Sequence, residues 1–481
     1  MAASFLFYDL ETFGGDPRRT RIAQFAALRT DADLNAIEPP ISLFVQPADD
    51  LLPSPAATLI TGITPQRALA EGVNEAAAFA RIFEEMARPE TCTLGYNSLR
   101  FDDEFVRCGF FRNFYDPYER EWRGGNSRWD LLDVLRMAYA LRPEGIAWPL
   151  RDDGGVSFRL EHLANANNVR EGEAHEALSD VLALLALARK LKQAQPKLWD
   201  YALRLRDKRY VAQLVDPVRM QPVLHVSQRF PAIRMSSAPV VPIARHPQID
   251  SRVIVFDLDQ DPEALLTLSP EDIADHLYTP SADLPEGAVR VALKEIHVNR
   301  CPIVVQWEHL READFARLSI DRAKSEARAQ VLRDAGPELA EKVRRVYAVA
   351  RAREAGGDVD GSIYNGFIGD GDKRKFAAVR SLPPMSLAAH AFDFKDARMD
   401  ELLFRYRARN WPETLDAADR VRWDDYRRQR LTRDAGLSEY TFDSFFAEIA
   451  AFRAAHAGHG AKLALLDALE DWGRQRAAEL S

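Results

Sequence analysis

The sequence predicts an α/β domain, then a β-rich domain, then a helical one. Three observations lead there. Strands alternate with helices over about the first 190 residues, prolines and short β-rich runs crowd residues 196 to 306, and helical periodicity dominates beyond Leu310. In order, Phe5 to Tyr8 is a short apolar run suited to a buried strand, and QFAALRTD (Gln24 to Asp31) suits a second. Glu75 to Ala87 and His175 to Lys192 have helical periodicity. The latter is strongly apolar and ends in basic residues that complement the negative end of the helix dipole. VIVFDLD (Val253 to Asp259) and AVRVALKEIHV (Ala288 to Val298) read as strands of a small β-rich domain, in the manner of a barrel. EARAQVLRDAG and ELAEKVRRVYAVARA return to helix, the glycine-rich EAGGDVDGS (Glu354 to Ser362) reads as a linker, and the rest is mostly helical. The expected domains are 1–192, 196–350 and 354–481.

Composition narrows the class without fixing the function. Hydrophobic residues make up 47% and charged residues 28% of the 481, the balance of a globular chain rather than a disordered one. With 64 basic and 73 acidic residues the formal charge is −9, so no global nucleic-acid footprint is present. A centre built from carboxylates can nevertheless coexist with a local basic groove. Cys92, Cys108 and Cys301 are widely spaced and form neither a disulfide framework nor a CxxC site, which favours a reducing compartment. MAASFLFYDLE lacks a basic n-region, and the longest apolar stretch, Val181 to Ala188, falls short of the roughly 20 residues that span a bilayer. A cytoplasmic location without membrane association is expected.

Three acidic motifs carry the chemistry. In FLFYDLETFGG, Asp9 and Glu11 stand two apart on a strand and project from the same face, where two carboxylates can share hard cations. In YNSLRFDDEF, Asp102 or Asp103 begins a helix, either facing the same centre or serving as its N-cap, and the pattern alone does not choose between them. In AHEALSD, His175 and Asp180 are five residues apart, roughly 140° around a regular helix. They can meet at one centre only if His175 lies in the loop or first turn and Asp180 within the helix. Asp180 is also the only charge between Glu176 and Arg189, and a carboxylate against so apolar a helix needs a partner such as a metal. Asp130 and Asp133 in RWDLLDVLR have the spacing of a solvated helix face and are left out of the centre.

The order D-x-E, then FD, then H-x4-D resembles the DEDDh family of 3′→5′ exonucleases. Further segments, among them ITGITPQ, FRNFYDPY, ALRPEGI, FRLEHLANAN, YNGF and LLFRYRARNWPETLD, are similar to the bacterial exodeoxyribonuclease I family, from the N-terminus to about residue 430. The last 45 residues show little of that pattern. The resemblance implies a ribonuclease-H-like exonuclease domain, an SH3-like β-barrel and a C-terminal helical domain, enclosing a single DNA strand that is digested processively to 5′ mononucleotides. It implies Asp9, Glu11 and Asp180 as ligands of two Mg²⁺ ions (Mn²⁺ substituting), Asp102 rather than Asp103 as the fourth carboxylate, and His175 as general base. Glu11 and Arg159 are then expected to contact the terminal nucleotide. Roles in repair and recombination follow from the same resemblance. An RNA-trimming relative would need only the first domain, and a non-catalytic clamp would tolerate a missing carboxylate, whereas all five motif residues are present.

Single-strand binding without sequence preference needs cations along the backbone and aromatic faces for stacking. Arg107, Tyr118, Trp122 and Arg128 are candidates in the first domain. LLFRYRARNW and Val421 to Arg433 interleave the same residue types further on. The resemblance also implies a partner, the acidic C-terminal tail of single-strand-binding protein, received by Arg142 and Arg311. A monomer is expected.

Overall fold

The computed structural model describes residues 4–170, 176–280, 283–284, 290–348, 357–433 and 436–481. It divides into two compact units, one of Met1–Ser127, Glu171–Leu185 and Glu354–Ser481, the other of Arg128–Arg170 and Ala186–Arg353.

The first unit is built on a mixed sheet. β1 (Ser4–Thr12) pairs antiparallel with β2 (Ile22–Thr30), β2 antiparallel with β3 (Ile41–Phe44), and β1 parallel with β4 (Thr91–Gly95), giving the order β3-β2-β1-β4. Side chains alternate along β1. Leu6, Tyr8 and Leu10 enter one core with Phe79 and Ile82 of α1 (Glu75–Met86) and with Phe105 and Phe110 of α2 (Asp102–Arg112). Asp9 and Glu11 therefore project from the opposite face of the same strand. The α1–α2 approach depends on Gly109, because a Cβ there would overlap the Phe79 ring. α3 (Ala177–Ala194) carries Asp180 in its first turn.

The C-terminal part of this unit is helical, as the periodicity predicts: α4 (Arg398–Asn410), α5 (Ala417–Thr432), α6 (Phe442–Ala455) and α7 (Gly460–Glu479). Met399, Leu402 and Tyr406 of α4 join Cys108, Phe111 and Phe114 in one buried cluster. The stretch expected as a linker is different. Its described part, from residue 357, enters a 3-10 turn at Val359–Tyr364, and Asp360 is fully buried. The basic α4 segment expected to hold a strand is instead structural. Arg409 bridges Asp50 at 2.8 Å and Asp360 at 2.5 Å, and Arg405 reaches Asp358 at 2.7 Å and Asp360 at 3.4 Å. Arg430 of α5 donates to the Asp50 carbonyl at 2.9 Å. Arginine suits these sites because its planar fork can serve two carboxylates at once.

The second unit contains an antiparallel sheet of β5 (Val223–Val226), β6 (Ser237–Arg245), β7 (Arg252–Asp257), β8 (Leu293–His297) and β9 (Ile303–Gln306), in the order β9-β5-β6-β7-β8. Its core combines Val241, Ile254 and Phe256 with Ile273, Leu332 and Val343 from the helices Pro270–Tyr278, Arg322–Asp334 and Gly336–Ala348. The strands expected in VIVFDLD and AVRVALKEIHV are β7 and β8, although residues 285–289 lie outside those described. All three cysteines are free, and among the described residues no helix is long and apolar enough to cross a membrane.

Candidate metal centre

β1 sets two of the carboxylates. Asp9 stands opposite Ala26 and Glu11 opposite Gln24 on β2, and the ladder shifts register immediately after Glu11. Asp180 approaches from the first turn of α3, and one carboxylate oxygen from each of Asp9, Glu11 and Asp180 lies within 4.8 Å of the others. Glu11 is buried, Asp9 and Asp180 half-buried. Burial, followed by the charges of Asp180, Asp102 and Glu176, pushes the Glu11 carboxyl up to about 8. So much negative charge in one buried place calls for a cation, and an all-oxygen donor set suits a hard divalent ion.

The choice between Asp102 and Asp103 has a physical answer. Asn97 takes a left-handed turn (φ 60°), a conformation asparagine tolerates, and Phe101 occupies the N-cap of α2 with no side-chain cap bond. Neither aspartate is therefore the cap. Asp103 is 1% exposed, accepts the Tyr8 hydroxyl proton at 2.7 Å and pairs with the fully buried Arg120. Asp103 is thus committed beneath the sheet, while Asp102, also buried, is the one of the two whose charge raises Glu11.

Glu176 is a residue that motif reasoning passed over. Its backbone carbonyl accepts from Asp180 N–H at 3.0 Å and its carboxylate from Ser179 N–H at 2.8 Å, so it caps α3. Gln24, the residue facing Glu11 across the ladder, donates to Glu176 at 3.3 Å and so ties the start of α3 to the sheet. An acidic residue just before an apolar helix was the available signal. His175 lies outside the described residues; the helix bearing Asp180 begins at Ala177.

Other candidates occupy varied positions. Arg107 is 5% exposed and clamped by Glu104 and Glu121, each at 2.7 Å, with the Tyr118 ring centroid 5.4 Å away. That position is at odds with a phosphate contact and makes Arg107 a prop for Tyr118. Trp122 is two-thirds exposed. Arg128 and Arg159 belong to the second unit, Arg128 buried and Arg159 exposed at the head of Leu160–Ala166. Asp130 is buried and caps the helix Leu131–Leu141 through Leu132 N–H at 3.0 Å, which corrects the expectation of a solvated face; Asp133 pairs with Arg136 at 2.6 Å. In the second unit Arg142 and Arg311 share Asp314, at 2.7 and 2.9 Å. Beside Arg142 lies a pocket of about 510 Å³ lined by Leu141, Tyr201, Val305 and His309.

Comparison with known proteins adds the following. Three family models match, described as Exonuclease (residues 6–188), Exonuclease I SH3-like domain (206–349) and Exonuclease I C-terminal domain (357–476). The chain is 47% identical over 430 residues to exodeoxyribonuclease I of Escherichia coli K12, covering 89% of this chain and 90% of that one. It is 41% identical to exodeoxyribonuclease I of Haemophilus influenzae over 98% of both chains. Among solved structures, E. coli exonuclease I in complex with a dA16 oligonucleotide superposes with a TM-score of 0.94 at 44% identity, covering 98% of this chain and 100% of that one. A moderately thermophilic exonuclease I from Methylocaldum szegediense gives a TM-score of 0.94 at 44% identity, over 98% and 99% of the two chains.

Proposed function

The chain belongs to the exodeoxyribonuclease I family, and from that premise we propose that it is a processive 3′→5′ exonuclease of single-stranded DNA, releasing 5′ mononucleotides in repair and recombination. The observation that carries the chemistry is the convergence of Asp9, Glu11 and Asp180 within 4.8 Å. The oligonucleotide complex of the E. coli relative supports the substrate class.

Asp9, Glu11 and Asp180 would hold two Mg²⁺ ions, with Mn²⁺ able to substitute, and Asp102 adds charge to the same centre. Such ions, when bound, supply Lewis acidity at the scissile phosphate and the leaving 3′ oxygen. His175 takes the proton from the attacking water, a task suited to an imidazole near neutral pH. Gln24 and Glu176 keep α3, and with it Asp180, against β1. Arg159, Tyr118, Trp122 and Arg128 contact the strand, and Glu11 also meets the terminal nucleotide. The working modules are 1–192, 196–350 and 354–481, in a cytoplasmic monomer. Arg142 and Arg311 receive the acidic tail of single-strand-binding protein, since a cation beside an apolar pocket is what a terminal carboxylate requires.

The test is digestion of 5′-labelled single-stranded DNA, single-stranded RNA and duplex DNA with Mg²⁺ or EDTA, beside Asp180→Ala. A ladder on single-stranded DNA that needs Mg²⁺ and Asp180 is expected. Digestion that persists in EDTA would remove the metal assignment, and RNA degraded at an equal rate would remove the substrate assignment.

A further inference from the structure

Residues 437–481, expected to show little of the family pattern, fall within the Exonuclease I C-terminal domain match as far as residue 476, and they are firmly docked. Phe445, Ile449, Leu466, Leu469 and Trp472 of α6 and α7 share a buried cluster with Leu52. Trp472 Nε1 donates to the Leu51 carbonyl at 2.9 Å, and Gln66 Nε2 to the Ala468 carbonyl at 2.6 Å. The segment leading into α6 brings Glu439 to the loop that follows Glu11. One Glu439 oxygen accepts the backbone N–H of Asp16, and the amide of Gly15 faces the same carboxylate. A Cβ on Gly14 would meet the other Glu439 oxygen, so a side chain there would displace the Glu439 carboxylate from its place.

The loop needs an external hold. The β1–β2 ladder shifts register between Glu11 and Thr12 and then closes through the Thr12–Ile22 pair and the Phe13 N–H to Arg21 carbonyl bond at 2.9 Å, so sheet pairing does not dictate the backbone between Phe13 and Arg21. Inside the turn, Thr12 Oγ1 donates to the Gly14 carbonyl at 2.7 Å. On one side Ser54 N–H donates to the Phe13 carbonyl at 2.7 Å, and Ser54 Oγ lies 3.2 Å from the Tyr440 hydroxyl. On the other side Glu439 accepts from the Asp16 amide, while Arg112 donates to the Pro17 carbonyl at 3.0 Å and Arg430 to the Arg19 carbonyl at 2.6 Å. A carboxylate accepting amide protons is stronger than a neutral acceptor.

We propose that Glu439 is a positioning residue for the reaction: through the amides of Gly15 and Asp16 it fixes the loop after Glu11 and shapes the wall against which the terminal nucleotide is seated. This rests on the exonuclease reading above. It gives the C-terminal helical part of the chain a task at the centre, performed through the loop backbone rather than through the metal ligands.

The experiment compares the full-length protein with Glu439→Ala and Glu439→Gln. In Glu439→Ala the amides of Gly15 and Asp16 should exchange with solvent at least about tenfold faster, the scale of one lost charge-assisted hydrogen bond, while those of β1 and β2 keep their protection. KM for a single-stranded oligonucleotide should rise by about the same factor with kcat and the Mg²⁺ titration midpoint little changed. Glu439→Gln, which retains an accepting oxygen, should recover most of the loss. Unchanged exchange at Gly15 and Asp16, an unchanged KM, or faster exchange throughout the sheet would each overturn the proposal. Amide exchange needs no substrate, so a wild-type protein inactive on DNA would sink the exonuclease reading and leave the loop contact separately testable.

Discussion

The Tyr8 hydroxyl donates to Asp103 at 2.7 Å on the core side of β1, one residue before Asp9. Adjacent aspartates on α2 therefore have separate duties. Asp103→Ala strands Arg120, which is fully buried, and should cost about 3–5 kcal/mol of stability. Asp102→Ala should leave stability nearly intact and lower kcat by about 10–100-fold, the scale of a residue supporting metal ligands. Urea unfolding and steady-state kinetics on the two variants separate these effects; the reverse pattern would exchange the two assignments.

A cluster of carboxylates held together without a counter-ion destabilises the apoprotein. Adding Mg²⁺ or Mn²⁺ should raise the Tm of the first unit by a few degrees, consistent with about 2.7 kcal/mol of linkage at a hundredfold excess over Kd. EDTA should reverse the rise and Asp180→Asn should abolish it, with the apo Tm of that variant at or above wild type. Calorimetry with and without chelator checks this.

The ion-pair cluster sets an acid limit. Burial alone would raise the Asp50 and Asp360 carboxyls, but Arg409, with Arg430 and Arg21 at Asp50 and with Arg405 and Arg21 at Asp360, outweighs it and holds both well below the usual carboxylate range. The unfolded chain then binds these protons more readily than the folded one. Their stabilisation is complete above the unfolded value near about 4 and is lost as pH falls below it. Denaturant midpoints should drop steeply from pH 4 downward, and Asp50→Asn should flatten that limb.

Arg142 and Arg311 are both spaced by Asp314, and a peptide carboxylate would compete with it for them. Arg142→Ala should weaken binding of an acidic tail peptide by about tenfold or more, and added salt should weaken the wild type likewise. Calorimetric titration is the check, and charge reversal at Arg311 with unchanged affinity would count against the site.

Local patterns were legible where local physics decides. β1, β2, α1 and α3 follow from alternation and periodicity; strand geometry puts Asp9 and Glu11 on one face, and it took the family resemblance to mark that pair as a site. What escaped depends on partners remote in sequence. Arg405 and Arg409 look like strand-binding cations until Asp360 and Asp50 are found against them. Arg107 looks free until Glu121 closes on it. The glycines of Glu354 to Ser362 suggest a linker, and only the fold shows Asp360 buried among arginines. Asp130 carries the spacing of an exposed helix face but serves as a cap, because the short strand Ser127–Asp130 feeds directly into the helix.

The unit holding the carboxylates is written in three separate pieces of the chain, and the last of them runs to Ser481. During synthesis Asp50 leaves the ribosome 359 residues ahead of Arg409, and Glu11 more than 400 ahead of Glu439. At roughly 5–20 residues per second, a nascent chain spends tens of seconds with its acidic strand made and the clasp that orders the neighbouring loop still untranslated. The order of translation thus acts as a timer, assembling the nuclease centre in full only once the third piece has followed the first two.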